Sequence, residues 1–180
     1  GRALVCIPIR ILFEFAVRIQ NRPFFHVGIE VQRVQNVAHI LVMPEIEIPG
    51  HMRAALAAYP QFACDPSAAA ARTPNCSTLG GTDGEDIGQM VRKGNARNVM
   101  CVGNDEAIAF LERVLDYVCR LFPSDCVNIG GDECPTSCWE GCAKCRARIR
   151  AEGLSGVKGL QPWLTRRFVA FLEARGKRVM

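Results

Sequence analysis

The stretch CVNIGGDE, residues 126–133, is the part of the sequence from which the fold is best inferred. A short, largely apolar run that stops at two glycines and two acids is typical of a buried strand ending at a site. The glycines leave room for a ligand or allow an unusual turn. The adjacent carboxylates of Asp132 and Glu133 repel each other, which favours one of them keeping its proton near neutral pH, as general acid catalysis requires. A strand followed by a solvated acidic turn explains these residues equally well.

A second segment repeats this pattern earlier in the chain. The apolar run ILVM, residues 40–43, leads into PEIEIPGH, residues 44–51. A predicted strand again ends in carboxylates, a glycine and a titratable histidine. Two strands that both deliver acids at their carboxyl ends indicate parallel strands with a shared active face.

The remaining elements extend this interpretation. Helices are predicted over residues 52–59, 104–122, 141–151 and 160–175, a loop over 63–103, and a further strand from Lys177. Asn104 can cap the second of these helices, whose apolar stripe consists of Ile108, Leu111, Leu115, Val118 and Phe122. The last helix is predicted to face inward with Leu160, Leu164, Phe168, Phe171 and Leu172. Residues 1–39 show no clear period, so no element is assigned there. The alternation of strands and helices predicts an α/β fold with parallel strands.

Composition excludes several classes of protein. The 180 residues suffice for one domain with a core, and the net charge of +4 comes from scattered basic residues without an aromatic-interleaved block. The most apolar N-terminal stretch, residues 3–19, is interrupted by charged residues. We therefore expect neither nucleic acid nor membrane as a partner, while the compartment stays unassigned.

Ten cysteines are unusual for a chain of this length. Four of them, Cys134, Cys138, Cys142 and Cys145, fall within twelve residues and end in a C-x2-C pair. Four thiolates can hold zinc tetrahedrally, so this group is a candidate metal site. Disulfides or free thiols account for the same spacing.

Two motifs in this chain resemble one enzyme family. Residues 44–51 are similar to the PEI(D/E)xPGH segment of glycoside hydrolase family 20, the β-N-acetylhexosaminidases, and residues 129–135 (IGGDECP) to its acid/base signature. The stretch 134–154 resembles bacterial members. The resemblance implies a (β/α)8 TIM barrel, of which residues 40–180 would be a partial catalytic domain with roughly strands three to five. Residues 1–39 match poorly.

The resemblance also implies a chemistry. Family members remove terminal non-reducing β-linked N-acetylglucosamine or N-acetylgalactosamine with retention, without a cofactor, using the acetamido group of the substrate as the nucleophile. Glu133 would be the acid/base, and Asp132 would orient the acetamido group. His51, Glu47 and Asn128 would support these residues or bind substrate, although the family often has histidine where this chain has Asn128.

Two alternatives stay open. The family's sugar-binding arginine and pocket aromatics have no match here, because Trp139 is predicted to be a loop packing residue and Trp163 to lie in a helix core. The isolated chain could therefore be an inactive fragment or a pseudoenzyme. The other alternative is a small Cys-rich zinc-binding module.

Overall fold

The computed structural model describes residues 4–6, 41–70, 99–132 and 134–180, which form a mixed α/β structure. The chain divides into two compact units. The first, called here the strand unit, consists of residues 1–47, 109–130 and 165–180, and the second, the cysteine unit, of residues 48–108 and 131–164.

Parallel strands organise the strand unit. In its described residues these are β1 (Leu4–Cys6), β2 (Leu41–Met43), β3 (Cys126–Val127) and β4 (Arg178–Val179). β1 pairs with β2 and β3 pairs with β4, both in parallel. A parallel bridge between Glu45 and Asn128 connects the two pairs, and the Asn128 N–H donates to the Pro44 carbonyl at 2.9 Å. Among the described strands, those that follow one another in the sequence are thus neighbours in space, as expected for parallel strands joined by crossover connections.

The strands predicted near residues 40–43, 126–129 and 177–180 are confirmed. Val42, Met43, Val127 and Ile129 are buried, in keeping with parallel strands that are covered on both faces. Strand β1 was not predicted, because three residues without a flanking period carry too little signal.

Helices α1 (Arg53–Ala58), α2 (Pro66–Ala70) and α3 (Asp105–Leu121) follow β2 in the described sequence. The prediction of a loop over residues 63–103 is wrong at α2, and residues 71–98 lie outside the described part. The α3 prediction is confirmed. The Asn104 side-chain oxygen accepts the Glu106 N–H at 3.0 Å, which satisfies one of the unpaired donors at the helix start. The predicted apolar stripe of α3 is buried at Ile108, Leu111, Leu115 and Val118.

Helices α4 (Ser137–Glu140), α5 (Ala143–Ala151) and α6 (Leu160–Glu173) complete the set among the described residues. The inward stripe of α6 consists of Leu160, Leu164, Phe168 and Leu172, all buried. Two predictions for α6 need correction. Phe171 is only partly buried, with the Arg175 guanidinium 3.5 Å from its ring centroid. Trp163 is likewise partly exposed instead of lying in the core, and Arg148 lies 4.8 Å from its ring centroid.

In the cysteine unit, hydrogen bonds and one close backbone approach connect the short helices to the segments around Ala63 and Met100. Trp139 is fully buried in α4, and its ring N–H donates to the Met100 carbonyl at 2.9 Å. Residues Ala63 and Met100 form an antiparallel bridge, beside which the Cys101 N–H donates to the Phe62 carbonyl at 2.8 Å. A Cβ atom at Gly103 would overlap the backbone of Lys144 and Cys145 in α5, so this close approach requires glycine.

In the described part of the chain, no helix is both long and apolar enough to cross a membrane.

Candidate active site and cysteine cluster

Two predicted site residues of the strand unit lie against the backbone of the acidic motif. The Gly130 N–H donates to the Asn128 side-chain oxygen at 2.9 Å. Gly130 has a φ of 60°, in the left-handed region that favours glycine. A Cβ at this position would also overlap the Glu47 carboxylate. Asn128 therefore holds the backbone of the turn that leads to the motif acids, and Glu47 leaves no room for a side chain at Gly130.

Gly131 takes an equally restricted conformation within the cysteine unit, with a φ of 118°. Its carbonyl accepts a hydrogen bond from the Gln161 side-chain amide in the first turn of α6. Sequence reasoning missed Gln161, because a glutamine in an amphipathic helix carries no motif signal. Gln161 anchors the backbone immediately before Asp132.

Asp132 and His51, both in the cysteine unit, lie close together. Their ligand-bearing side-chain atoms are within 4.8 Å of each other, and both residues are exposed. His51 has a φ of 53°, a conformation that costs a residue with a side chain about 1 kcal/mol. Such conformations persist where the surrounding structure enforces them, often at functional sites. The two motifs, 81 positions apart in the sequence, thus bring an imidazole and a carboxylate within reach of one ligand.

Glu133, the predicted acid/base, lies outside the described residues. Its role, like those of Asp132, His51, Glu47 and Asn128, stays a prediction.

A cluster of thiols forms a second feature of the cysteine unit. The sulfur atoms of Cys64, Cys101, Cys142 and Cys145 all lie within 4.8 Å of one another. Three of the separations are 3.7 Å (Cys64 to Cys145), 3.6 Å (Cys101 to Cys142) and 3.7 Å (Cys101 to Cys145). All four residues are free thiols, with Cys101 and Cys145 fully buried.

This cluster shares only two members with the group suggested by sequence spacing. Cys142 and Cys145 belong to both, whereas Cys64 and Cys101 come from distant segments that no local spacing identifies. Cys138 lies near the cluster, because its thiol interacts with that of Cys64. Burial raises the pKa of Cys134 to about 12.

Hydrogen bonds among the thiols shift the pKa values of Cys145 and Cys64 in opposite directions. Bonds from Cys101 and Cys64 lower the pKa of Cys145 to about 5. The bonds of Cys64 to Cys101, Cys138 and Cys145 raise the pKa of Cys64. These hydrogen bonds favour the thiolate at Cys145 and the neutral thiol at Cys64. The thiolate is the form of cysteine that binds metals and attacks electrophiles.

The chain is similar to known enzymes over most of its length. The family model of the glycosyl hydrolase family 20 catalytic domain matches residues 29–180. Among curated proteins, a β-hexosaminidase of Porphyromonas gingivalis is 38% identical over 141 residues, covering 78% of this chain and 16% of that protein. A β-hexosaminidase of Vibrio furnissii is 34% identical over 141 residues, covering 78% of this chain and 20% of that protein. The chain thus spans about a fifth or less of the length of these relatives.

Solved structures agree in fold. A β-N-acetylhexosaminidase from Bacteroides fragilis superposes with a TM-score of 0.63 at 34% identity, covering 84% of this chain and 26% of that one. An exo-β-N-acetylglucosaminidase from Vibrio harveyi, solved with N-acetylglucosamine, gives a TM-score of 0.62 at 26% identity, covering 84% of this chain and 22% of that one. These relatives imply a TIM-barrel catalytic domain, consistent with the parallel strands and the mixed α/β content. The extent of the family match shows that this chain belongs to glycosyl hydrolase family 20.

Proposed function

We propose that this chain is part of the catalytic domain of a β-N-acetylhexosaminidase that removes terminal non-reducing N-acetyl-D-hexosamine residues with retention of configuration. In this proposal the acetamido oxygen of the substrate attacks the anomeric carbon, so that no enzyme nucleophile is needed. Glu133 protonates the leaving oxygen and then activates water. Asp132 orients the acetamido group and stabilises the positive charge that develops on it.

The observation that carries the proposal is the proximity of His51 and Asp132, which come from the two motifs. A carboxylate that must contact a substrate has to be accessible and fixed in direction. Asp132 is exposed, and the backbone before it is anchored by the Gln161 bond to the Gly131 carbonyl. A neighbouring imidazole can hold Asp132 in position or share a proton with the acid/base.

The strand order supports a place for the chain within the barrel. We assign β2, β3 and β4 to the third, fourth and fifth barrel strands, since the two motifs follow β2 and β3. Strand β1, which pairs in parallel with β2, would then be the second strand. Residues 40–180 would hold the acid/base segment, while the rest of the sugar pocket would come from other parts of the full-length enzyme.

Hydrolysis of a chromogenic β-N-acetylglucosaminide by the full-length protein that contains this sequence tests the proposal. Glu133→Gln should lower kcat by at least about 100-fold, the usual contribution of a general acid. Glu140→Gln, at an exposed acid in α4, is the matched control and should leave kcat unchanged. The corresponding β-glucoside, which lacks the acetamido group, should not be cleaved. Equal activity of wild type and Glu133→Gln would refute the assignment of the acid/base, and rapid cleavage of the glucoside would refute substrate assistance.

We further propose that the 180-residue chain alone is inactive. Catalysis requires the substrate to be held in a productive position, and the sugar-binding arginine and aromatic wall expected from the family have no match here. The purified chain should show no hydrolysis above that of its own Glu133→Gln variant. A clear difference between the two would show that this segment forms a working pocket.

A further inference from the structure

The four clustered cysteines have the geometry of a metal site. A tetrahedral zinc ion with Zn–S bonds of about 2.3 Å requires sulfur atoms about 3.8 Å apart. Three pairs of sulfur atoms in the cluster are 3.6–3.7 Å apart, and all four sulfur atoms lie within 4.8 Å of one another. Disulfide-bonded sulfur atoms would be about 2 Å apart. The spacing therefore matches four ligands around one ion and not two disulfides.

Backbone contacts bring these ligands together. Cys64 follows Ala63 and Cys101 follows Met100, and Ala63 and Met100 are the partners of the antiparallel bridge. The hydrogen bond from the Cys101 N–H to the Phe62 carbonyl holds the same two segments side by side. The backbone alone therefore brings the segments of Cys64 and Cys101 together, without any contribution from the two thiol side chains.

The other two thiols form a C-x2-C pair at the start of α5. Cys142 is the residue before the helix and Cys145 lies in its first turn. Helix N-termini stabilise thiolates, because unpaired backbone N–H groups point toward them. Glycine at 103 permits the close approach of this turn, and the Gly103 N–H donates to the Cys145 sulfur. Hydrogen bonds from the backbone to ligand sulfur atoms are the kind of outer contact that orients metal ligands.

Ordinary core packing is the competing explanation, since buried free cysteines commonly behave as small apolar residues. It accounts for one or two cysteines at a time. It does not account for four thiols that converge on one point from three separate segments. Two of these thiols follow the bridged residues Ala63 and Met100, and the other two are spaced as C-x2-C.

We propose that Cys64, Cys101, Cys142 and Cys145 bind one zinc ion as a closed, structural tetrathiolate site. Four protein ligands leave no open position, so the ion would cross-link the segments around residues 64, 101 and 142–145 and would take no part in chemistry. This inference does not depend on the proposed glycosidase activity.

Metal content and spectroscopy of the full-length protein, purified reduced and without chelators, test the site before any mutation is made. We expect about one zinc per chain, with X-ray absorption giving four sulfur neighbours at about 2.3 Å. Cobalt substitution should produce the intense visible bands of a tetrahedral tetrathiolate. A reduced protein that holds no zinc and develops no such bands with added cobalt would overturn the proposal, as would a coordination shell dominated by nitrogen or oxygen.

Paired variants identify the ligands. Cys142→Ser/Cys145→Ser should lose the zinc, whereas Cys134→Ser, which changes a thiol of the same segment that lies outside the cluster, should retain it. Retention of zinc by the first variant, or its loss from the second, would overturn the ligand assignment. Should the first variant be insoluble, the single variant Cys64→Ser, with three ligands left, is expected to bind zinc at least about tenfold more weakly than wild type.

Discussion

The strand unit and the cysteine unit are stabilised in different ways. The strand unit contains the greater part of α3, and the buried side chains Leu111, Leu115 and Val118 of this helix follow helical spacing. In the described part of the cysteine unit, the helices that lie wholly within it have nine residues or fewer. Helices this short are marginal in water and depend on contacts with other segments. A long amphipathic helix thus encodes its packing locally, whereas the cysteine unit depends on contacts between residues that are far apart in sequence.

Removing the ligands of the proposed zinc site should have the largest effect and should be confined to one unit. Structural zinc contributes on the order of 10 kcal/mol in zinc-finger peptides. In Cys142→Ser/Cys145→Ser we expect amide hydrogens of residues 137–151 to exchange at least about 100-fold faster, and those of residues 111–121 to change less than about twofold. Mass-spectrometric hydrogen exchange of the full-length protein measures both.

The matched control for this comparison is Cys134→Ser, outside the cluster and outside both segments, which should leave both as in wild type. An equal increase in exchange for residues 137–151 and 111–121 would show that the two units unfold together, and the contrast between them would be wrong.

Truncation of the apolar stripe should produce the next largest effect. Leu115 is fully buried in the strand unit part of α3. Leu115→Ala should therefore lower the free energy of unfolding by about 3 kcal/mol, through lost burial and the cavity left behind. Arg113→Ala, at an exposed position two residues earlier, should change it by less than about 0.5 kcal/mol. Urea denaturation followed by circular dichroism gives both values, and similar losses in the two variants would contradict the packing assigned to this face.

The turn at the acidic motif offers a subtler test within the strand unit. Gly130 and Gly153 have nearly equal φ values of 60° and 61°, but only Gly130 faces a side chain, the Glu47 carboxylate. An alanine at either position would have to adopt the left-handed conformation, which costs about 1 kcal/mol of stability. Gly130→Ala must also displace Glu47, so we expect a total loss of about 2–3 kcal/mol against about 1 kcal/mol for Gly153→Ala.

Denaturation of the two variants measures this difference directly. Equal losses would mean that Glu47 moves aside without cost, and the carboxylate would then not be fixed against the motif. In the full-length enzyme Gly130→Ala should also lower activity on the chromogenic substrate, whereas Gly153→Ala should not.

The sequence predicted the parts of the fold that local patterns encode. The stripe of α3 and its Asn104 cap, the inward face of α6 and the strands before the two motifs could all be inferred, because burial repeats with the period of each element. Strand β1 and helix α2, with three and five residues, are too short for a period to emerge.

The site could be predicted only in part, for a different reason. Asp132, His51 and Glu47 were identified through motifs, and their suggested roles come from the resemblance to a family. The contact of Gln161 with Gly131 and the proximity of Cys64 to Cys101 could not be predicted from local sequence, because each arises only when distant segments meet. The spacing of Cys142 and Cys145 indicated a cluster, but the bridge between Ala63 and Met100 determines its other two members.

Ion pairs on the surface should contribute least to the free energy of unfolding, and the pH dependence of one such pair follows from its structure. Hydrogen bonding to Arg175, at 2.9 Å, lowers the pKa of the Asp116 carboxyl in the strand unit. Because the carboxyl has a lower pKa in the folded state, the stabilisation is complete above its ordinary value near 4 and is lost as pH falls through the folded-state value. A double-mutant cycle of Asp116→Asn and Arg175→Gln should give a coupling of at most about 1 kcal/mol at pH 7, because both side chains are about one-third exposed.

The same cycle in high salt and at low pH separates charge from packing, since Arg175 also lies over the Phe171 ring. Coupling that falls in salt and vanishes in acid is the expected result for an ion pair. Coupling that persists in acid would mean that Asp116 acts mainly by placing the Arg175 side chain on the aromatic ring, and that the strand unit is stabilised there by packing after all.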